Sequence, residues 1–221
     1  MVVFNYCPPK LLEELTAETT EQGRKYLLPD GSKVPSITTV LSYFKKEGIQ
    51  AWRNRVGEVE ANRISKQASN RGTNVHTLCE KYLNNDAFYH RGAFPDALEM
   101  FNTMKHELHR INNIHYQECG LYSTKLGVAG RVDCIGEFDG VLSVIDFKTS
   151  RKIKTSSMIE DYYMQETFYA LAYEELIGRP IHQLVTIMAV DNESPQIFIE
   201  ETKNWIEPLV NCVIEYKNRH K

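Results

Sequence analysis

The dipeptide Asp139-Gly140 separates two strand-forming runs, and a two-residue Asp-Gly loop accepts the positive backbone φ that a type I′ hairpin demands at both positions. Such a turn sets register as well as chain direction. With Phe138 paired to Val141, the ladder places Asp133 across from Asp146 and Arg131 across from Lys148. Side chains alternate faces along a strand, so Asp133, Asp146 and Lys148 are predicted on one side, with the two acidic Cβ atoms about 5 Å apart. Like charges in direct opposition destabilise a sheet, and a divalent cation between them relieves the conflict. Two carboxylates and the backbone carbonyl of Phe147 make the hard oxygen set that Mg²⁺ or Mn²⁺ prefers. Lys148, about 6 to 7 Å further along the same face, is placed to orient or deprotonate an attacking water. The bland alternative puts both acids on a solvated face with Lys148 merely neutralising them. Val144, Ile145 and Phe147 argue for burial in a cleft instead.

Around this hairpin the chain reads as α/β. Lys25 to Leu28 forms a short strand, Pro29-Asp30-Gly31 a turn, and Ser36 caps a following helix. Helices are predicted over 49–69, 73–83 and 95–112, the last from the apolar stripe Leu98, Phe101, Met104, Leu108 and Ile111. An antiparallel meander begins at Glu118, followed by a helix over 158–177 that Gly178 and Pro180 end. Strands over 184–190 and 196–200 and a final helix complete the pattern.

Composition limits the alternatives. No run approaches the roughly eighteen apolar residues of a membrane span, and the start, MVVFNYCPPKLLEE, lacks the features of a leader. A cytoplasmic protein without membrane contact is expected. The five cysteines include no CxxC pair, so neither a disulfide framework nor a zinc knuckle is indicated. A net charge of -3 excludes coating nucleic acid through bulk charge but leaves room for a local basic groove. His106, His109 and His115 have no matching ligands at metal spacing and read as surface residues. GxSxG and P-loop signatures are absent.

Asp133 followed by IDFKTS at 145–150 resembles the D…DxK core of the PD-(D/E)xK nuclease superfamily, in its RecB-type branch. The ordered companions are RGTNVH at 71–76, whose His76 matches an upstream metal-binding histidine, and QxxxY, matched by Gln165 and Tyr169. With Pro35 to Leu41 and Trp52, the chain is also similar to the subfamily of mitochondrial genome maintenance and phage-type exonucleases, over roughly residues 25–175. The resemblance implies a restriction-endonuclease-like core: a central mixed sheet containing the meander, flanked by helices, with an N-terminal helical arch. It implies one domain over 1–221. Residues 1–115 would be mainly helical and bind DNA, and residues 116–221 would carry the catalytic sheet, the QxxxY helix and the C-terminal helix.

The implied activity is single-stranded DNA exonuclease action from free ends, in phage or genome DNA processing. Asp133, Asp146, Lys148, Gln165 and Tyr169 would be catalytic, and His76, Asp133, Asp146 and the Phe147 carbonyl would hold one or two Mg²⁺ or Mn²⁺ ions. Glu80 shares a helix face with His76, and Glu118 resembles an acidic position used near the metals, though it also fits a solvated strand end. Candidate DNA contacts are Arg53, Arg71, Arg131, Thr149, Ser150, Arg151 and Lys152, with Ser36 and Thr73 at helix starts. Some relatives hold an iron–sulfur cluster with three cysteines near the C-terminus; only Cys212 lies beyond the QxxxY helix, so no cluster is expected. A helicase, single-strand-binding or annealing protein would be a partner. The alternatives are a processive duplex exonuclease of the lambda type and a non-catalytic nucleic-acid-binding module.

Overall fold

The computed structural model describes residues 2–21 and 23–220. In chain order the elements are β1 (Thr16–Thr20), β2 (Gly23–Leu27), β3 (Lys33–Pro35), α1 (Ile37–Tyr43), α2 (Lys46–Val56), α3 (Glu58–Leu83), α4 (Pro95–Leu108), β4 (Ile111–Ser123), β5 (Val128–Phe138), β6 (Val141–Ser150), α5 (Glu160–Ile177), β7 (Gln183–Val190), β8 (Gln196–Glu201) and α6 (Ile206–Asn218). Strands β4 to β8 form one sheet in sequential order. It is antiparallel except for the β6–β7 pair, which is parallel because α5 carries the chain across between them. Helices cover both faces. Val75, Phe101 and Met104 pack on Cys134, Ile145 and Val185, whereas Ile37, Phe168 and Leu209 pack on Ile135, Val144 and Leu184. The expected α/β sheet flanked by helices is therefore present.

The Asp139-Gly140 turn behaves as expected, with φ of 53° and 79°, and the predicted register holds from Phe138↔Val141 to Cys134↔Ile145. There the β5–β6 ladder ends. Asp133 and Asp146 stand just past its last pair, and Arg131 pairs with Gly120 on β4 rather than facing Lys148.

A second irregularity falls at the same level. Tyr116 and Leu121 on β4 lie an odd number of positions apart, yet both join the core under α5, as do Ile135 and Val132 on β5. Strict alternation must therefore break in both strands. The break falls at Glu118 and Asp133, which are missing from an otherwise regular ladder running from Tyr116↔Ile135 to Ser123↔Val128. Glu118 has a left-handed φ of 48°, uncommon for a residue with a Cβ.

Several boundaries differ from those the periodicity predicts. The meander starts at Ile111, not Glu118, because its first half, INNIHYQE, is mostly polar and turns at Asn113 (φ 44°). The predicted helices 49–69 and 73–83 are replaced by a break at Gly57 (φ 86°) and one 26-residue α3 that runs through Gly72. Packing against the sheet outweighs the roughly 1 kcal/mol helix penalty of a single glycine. Within the portion expected to be mainly helical, β1, β2 and β3 form a small antiparallel sheet. It buries Tyr26 and Val34 against Leu15 and Ala129, and its first strand, TAETT, is wholly exposed and so carries no apolar signal.

Candidate metal and cleavage centre

The end of the β5–β6 ladder leaves a gap that Asp133 fills. Its Oδ2 accepts the Phe147 backbone N–H at 2.9 Å, satisfying a donor that strand pairing no longer serves, and lies 3.3 Å from His76 Nδ1 on α3. The Phe147 ring stands edge-on to the His76 imidazole with centroids 6.3 Å apart. Glu118, turned inward by its bulge, completes a set in which single ligand atoms of His76, Glu118 and Asp133 all lie within 4.8 Å of one another. The Arg131 guanidinium donates to the Glu118 carbonyl at 2.8 Å and holds the bulge from outside.

Asp146 pairs with Lys148, two residues along the same strand. Rather than facing Asp133 across a ladder, it is 3% exposed and its Oδ2 lies 2.5 Å from Lys148 Nζ. That oxygen is buried and the Lys148 ammonium is its charge partner. The ligand set anticipated from sequence, His76, Asp133 and Asp146 with Phe147, is thus rearranged: Glu118 joins His76 and Asp133, and Asp146 stands beside them, paired to Lys148. Imidazole and carboxylates are the donor chemistry of a divalent site, so the residues present fit such an ion.

The electrostatics follow from crowding of acids in a poorly hydrated place. Burial raises the Glu118 carboxyl and the Asp133 charge adds to it, giving about 7. Burial pushes the His76 imidazole down, but the Asp133 carboxylate overrides this and brings it up to about 9. Asp133 itself, against burial, is held below the usual carboxylate range by His76 and Lys148. Asp146 rises to about 6, mainly through burial, with Lys148 opposing and Asp133 assisting. Burial disfavours the Lys148 ammonium, yet Asp146 and Asp133 together raise it above the ordinary lysine value. In this state Lys148 is a cation able to orient an anion, not a proton acceptor.

Helix α5 supplies the roof. Gln165 Oε1 lies 3.5 Å from Lys148 Nζ, and Gln165 Nε2 lies 3.4 Å from the Tyr169 hydroxyl, which in turn donates to the Arg131 carbonyl at 2.7 Å. The QxxxY spacing therefore ties Lys148 to β5 through one helix face. Two neighbours escape sequence reasoning. The Tyr162 ring lies 4.9 Å from Lys148 Nζ, and the fully buried Glu166 accepts from Thr186 Oγ1 at 2.5 Å and is raised well above the carboxylate range by burial and by Asp146. Both sit in EDYYMQETFY, a helix apolar on most sides, where periodicity cannot separate a site residue from a core one. Glu118 is foreshadowed by the family resemblance, which gives an acidic position near the metals, and not by its place in a polar strand.

The candidate DNA contacts divide. Arg71, Thr73, Arg151 and Lys152 line a groove of about 1450 Å³ between α3, α4 and the β7–β8 turn, where Arg151 reaches Gln67 at 3.3 Å. Arg71 Nε there is buried without a partner. Asp96, Glu99, Asp191 and Glu193 line the same groove, so its basic character is local. Thr149 flanks Gly72 of α3, and Ser150 is the buried last residue of β6, its hydroxyl donating to the Lys152 carbonyl at 2.6 Å.

Thr73 and His115 depart from expectation, and Ser36 and Arg53 have partners within the chain. Thr73 is exposed in the middle of α3 and has no helix-start N–H groups beside it. Ser36 is the N-cap of α1, but its hydroxyl is 2% exposed and occupied by the Thr39 N–H at 3.0 Å. Arg53 is held by Glu58 at 2.5 Å and Asn62 at 2.6 Å. His115 is buried, with Nδ1 2.7 Å from the Tyr173 hydroxyl, whereas His106 and His109 are exposed as expected. Glu80 lies near enough to Glu118 to raise its carboxyl slightly, outside the three-residue set.

The family model of the PD-(D/E)XK nuclease superfamily matches residues 50–190. The chain belongs to this superfamily. Those residues run from α2 to the end of β7 and so include His76, Glu118, Asp133, Asp146, Lys148 and Gln165. Mitochondrial genome maintenance exonuclease 1 of Mus musculus is 26% identical over 195 residues, 81% of this nuclease-family chain and 56% of the relative. The chain thus spans little more than half the length of that relative. A solved structure of a candidate exonuclease from Eubacterium rectale is 12% identical, with a TM-score of 0.47, covering 69% of this chain and 65% of the other. Nucleases of the superfamily generally use divalent metals, and the acidic and imidazole groups of the cluster above could hold one.

Proposed function

We propose that the protein is a divalent-cation-dependent exonuclease that degrades single-stranded DNA from free ends, in phage or genome DNA processing. The observation that carries the reading is the convergence of His76, Glu118 and Asp133 within 4.8 Å, beside a buried Asp146 whose Oδ2 is 2.5 Å from Lys148. Exonuclease action is the activity named for the mouse relative; the single-strand preference rests on the subfamily resemblance carried by Pro35 to Leu41, Trp52 and RGTNVH.

In this reading His76, Glu118, Asp133, Asp146 and the Phe147 carbonyl hold Mg²⁺ or Mn²⁺, which supplies acidification of water and screening of phosphate charge when bound. Lys148, kept cationic by its two aspartates, orients the phosphate and stabilises the charge that builds on its oxygens. Gln165, Tyr162 and Tyr169 hold the Lys148 ammonium at that point. Arg71, Arg151 and Lys152 attract the backbone, giving binding that weakens as salt rises.

A time course on end-blocked and free-ended single strands, and on a duplex, with Mn²⁺ tests activity, end dependence and strand preference together. Loss of cleavage with retained DNA binding is expected for Lys148→Ala. A wild-type protein inert with both Mg²⁺ and Mn²⁺ would refute the enzyme.

A further inference from the structure

The cluster at Glu118 opens on a second cavity that the reading above leaves unassigned. It holds about 500 Å³ between β4 and the N-terminal segment 6–14. That segment is anchored at both ends. At one, Tyr6 bridges to Ile114, the Cys7 N–H donates to the Ile114 carbonyl at 2.8 Å, and the Tyr6 hydroxyl meets Asn84 and Gln117. At the other, the core residue Leu15 packs so closely on Gly120 that a Cβ there would stand 3.0 Å from it. Between these anchors the chain spans the cavity as a strap, held by the Tyr116 hydroxyl on the Lys10 carbonyl, by Lys10 Nζ on the Leu176 carbonyl and by Glu14, 3.6 Å from Arg131.

We propose that this cavity receives the terminal nucleoside of the strand being cleaved, and that the strap is the stop that makes cleavage end-dependent; the inference rests on the nuclease reading above. Three observations carry it. Glu118 belongs both to the cation cluster and to the cavity wall, so whatever fills the cavity lies next to the scissile phosphate. Tyr6, Leu12 and Tyr116 offer apolar and aromatic surfaces to a base, while Lys10, Glu13, Glu14 and Arg131 also line the cavity. Gln117 also lines it; its Oε1 is taken by Tyr6, while its Nε2 is buried and has no acceptor. A buried amide donor lacking a partner is costly unless a ligand supplies one, and a base carbonyl or sugar oxygen would. The volume falls in the roughly 300–1000 Å³ range of small-molecule pockets. It suits one or two nucleosides and cannot admit a duplex.

The experiment compares wild type with Leu12→Trp, which fills the cavity, and Gln117→Leu, which removes the donor. Readouts are calorimetric binding of thymidine monophosphate, product lengths from a linear single strand, and cleavage of a closed single-stranded circle. Wild type should bind the mononucleotide and leave the circle intact, and Leu12→Trp should weaken mononucleotide binding by about tenfold or more while shifting the product lengths. If Leu12→Trp melts well below wild type, Leu11→Trp takes its place, because Leu11 is 97% exposed and free to turn inward. An active wild type whose mononucleotide affinity and product lengths are unchanged in all variants would overturn the cavity assignment alone, whereas one that cuts the circle would overturn the strap's role and the free-end reading together. A wild type that hydrolyses neither strand with Mg²⁺ or Mn²⁺ would overturn the nuclease reading and the assignment together.

Discussion

Cation binding at the His76–Glu118–Asp133 cluster must compete with protons, and the structure gives the size of that competition. Without a cation, His76 titrates at about 9 and Glu118 at about 7. A cation needs the lone pairs of both, so it displaces one proton from His76 throughout neutral pH and a second from Glu118 as pH falls through 7. The sign is therefore fixed: affinity falls with falling pH, gently at first and then more steeply. Between pH 8 and pH 6 the His76 proton contributes about two logarithmic units and the Glu118 proton about one more. The total is about a thousandfold, or about 4 kcal/mol at roughly 1.4 kcal/mol per unit. Calorimetric titration of Mn²⁺ in buffers of different ionisation enthalpy counts the protons directly: about one released at pH 8, about one and a half at pH 7 and about two and a half at pH 6, where the Asp146 carboxyl, at about 6, adds its own proton. Glu118→Gln should bind more weakly and release about one proton at pH 7 and pH 8, rising only to about one and a half at pH 6 through Asp146, which separates the Glu118 proton from the others. An affinity that changes less than tenfold between pH 6 and pH 8, or binding without proton release, would refute the cluster as the cation site.

Gly130 on β5 faces the same helix that roofs the centre; a Cβ there would stand 2.8 Å from the Tyr169 ring and 3.0 Å from Ile37. Both neighbours are buried, so Gly130→Ala should lose about 1–3 kcal/mol in urea unfolding and, by displacing Tyr169 and Gln165 from Lys148, lower the cleavage rate without removing any charged group. Glu175 accepts from Ser123 and Thr124 and, against partial burial, is held below the ordinary glutamate range by these bonds. A depressed carboxyl stabilises above its unfolded pKa and loses that contribution as pH falls through its folded value. Glu175→Gln should thus cost about 1 kcal/mol at pH 7 and progressively less in thermal melts as pH falls below the ordinary glutamate range; a cost that does not shrink with falling pH would contradict this. Paired Arg151→Glu and Lys152→Glu substitutions should weaken single-strand binding and flatten its salt dependence by about one to two units of slope, while a Lys66→Glu control outside the groove should change both less.

What the sequence could reveal of this centre depended on how local the determining interaction was. The Asp139-Gly140 turn needs only its own two residues to adopt positive φ, and the strand pairing it dictates is present as far as Cys134↔Ile145. Gln165 and Tyr169 share a face because of helix geometry alone, and they meet at 3.4 Å. The position of Glu118 depends on a different kind of cause. Its inward turn comes from a φ of 48° and a break in alternation shared with Asp133 on the neighbouring strand; neither strand shows that break when read by itself. The same break explains why the two aspartates do not simply face each other. A regular ladder would have put both carboxylates on one face about 5 Å apart, with Glu118 pointing elsewhere. Ending the ladder one pair early frees the Phe147 N–H for Asp133 and sends that carboxylate toward His76 on α3, while Asp146 stays with Lys148 under α5. A local loss of strand pairing is thus the step that brings groups from α3, β4, β5 and β6 to one point, and it places the strongest concentration of charge where the backbone itself has donors to give.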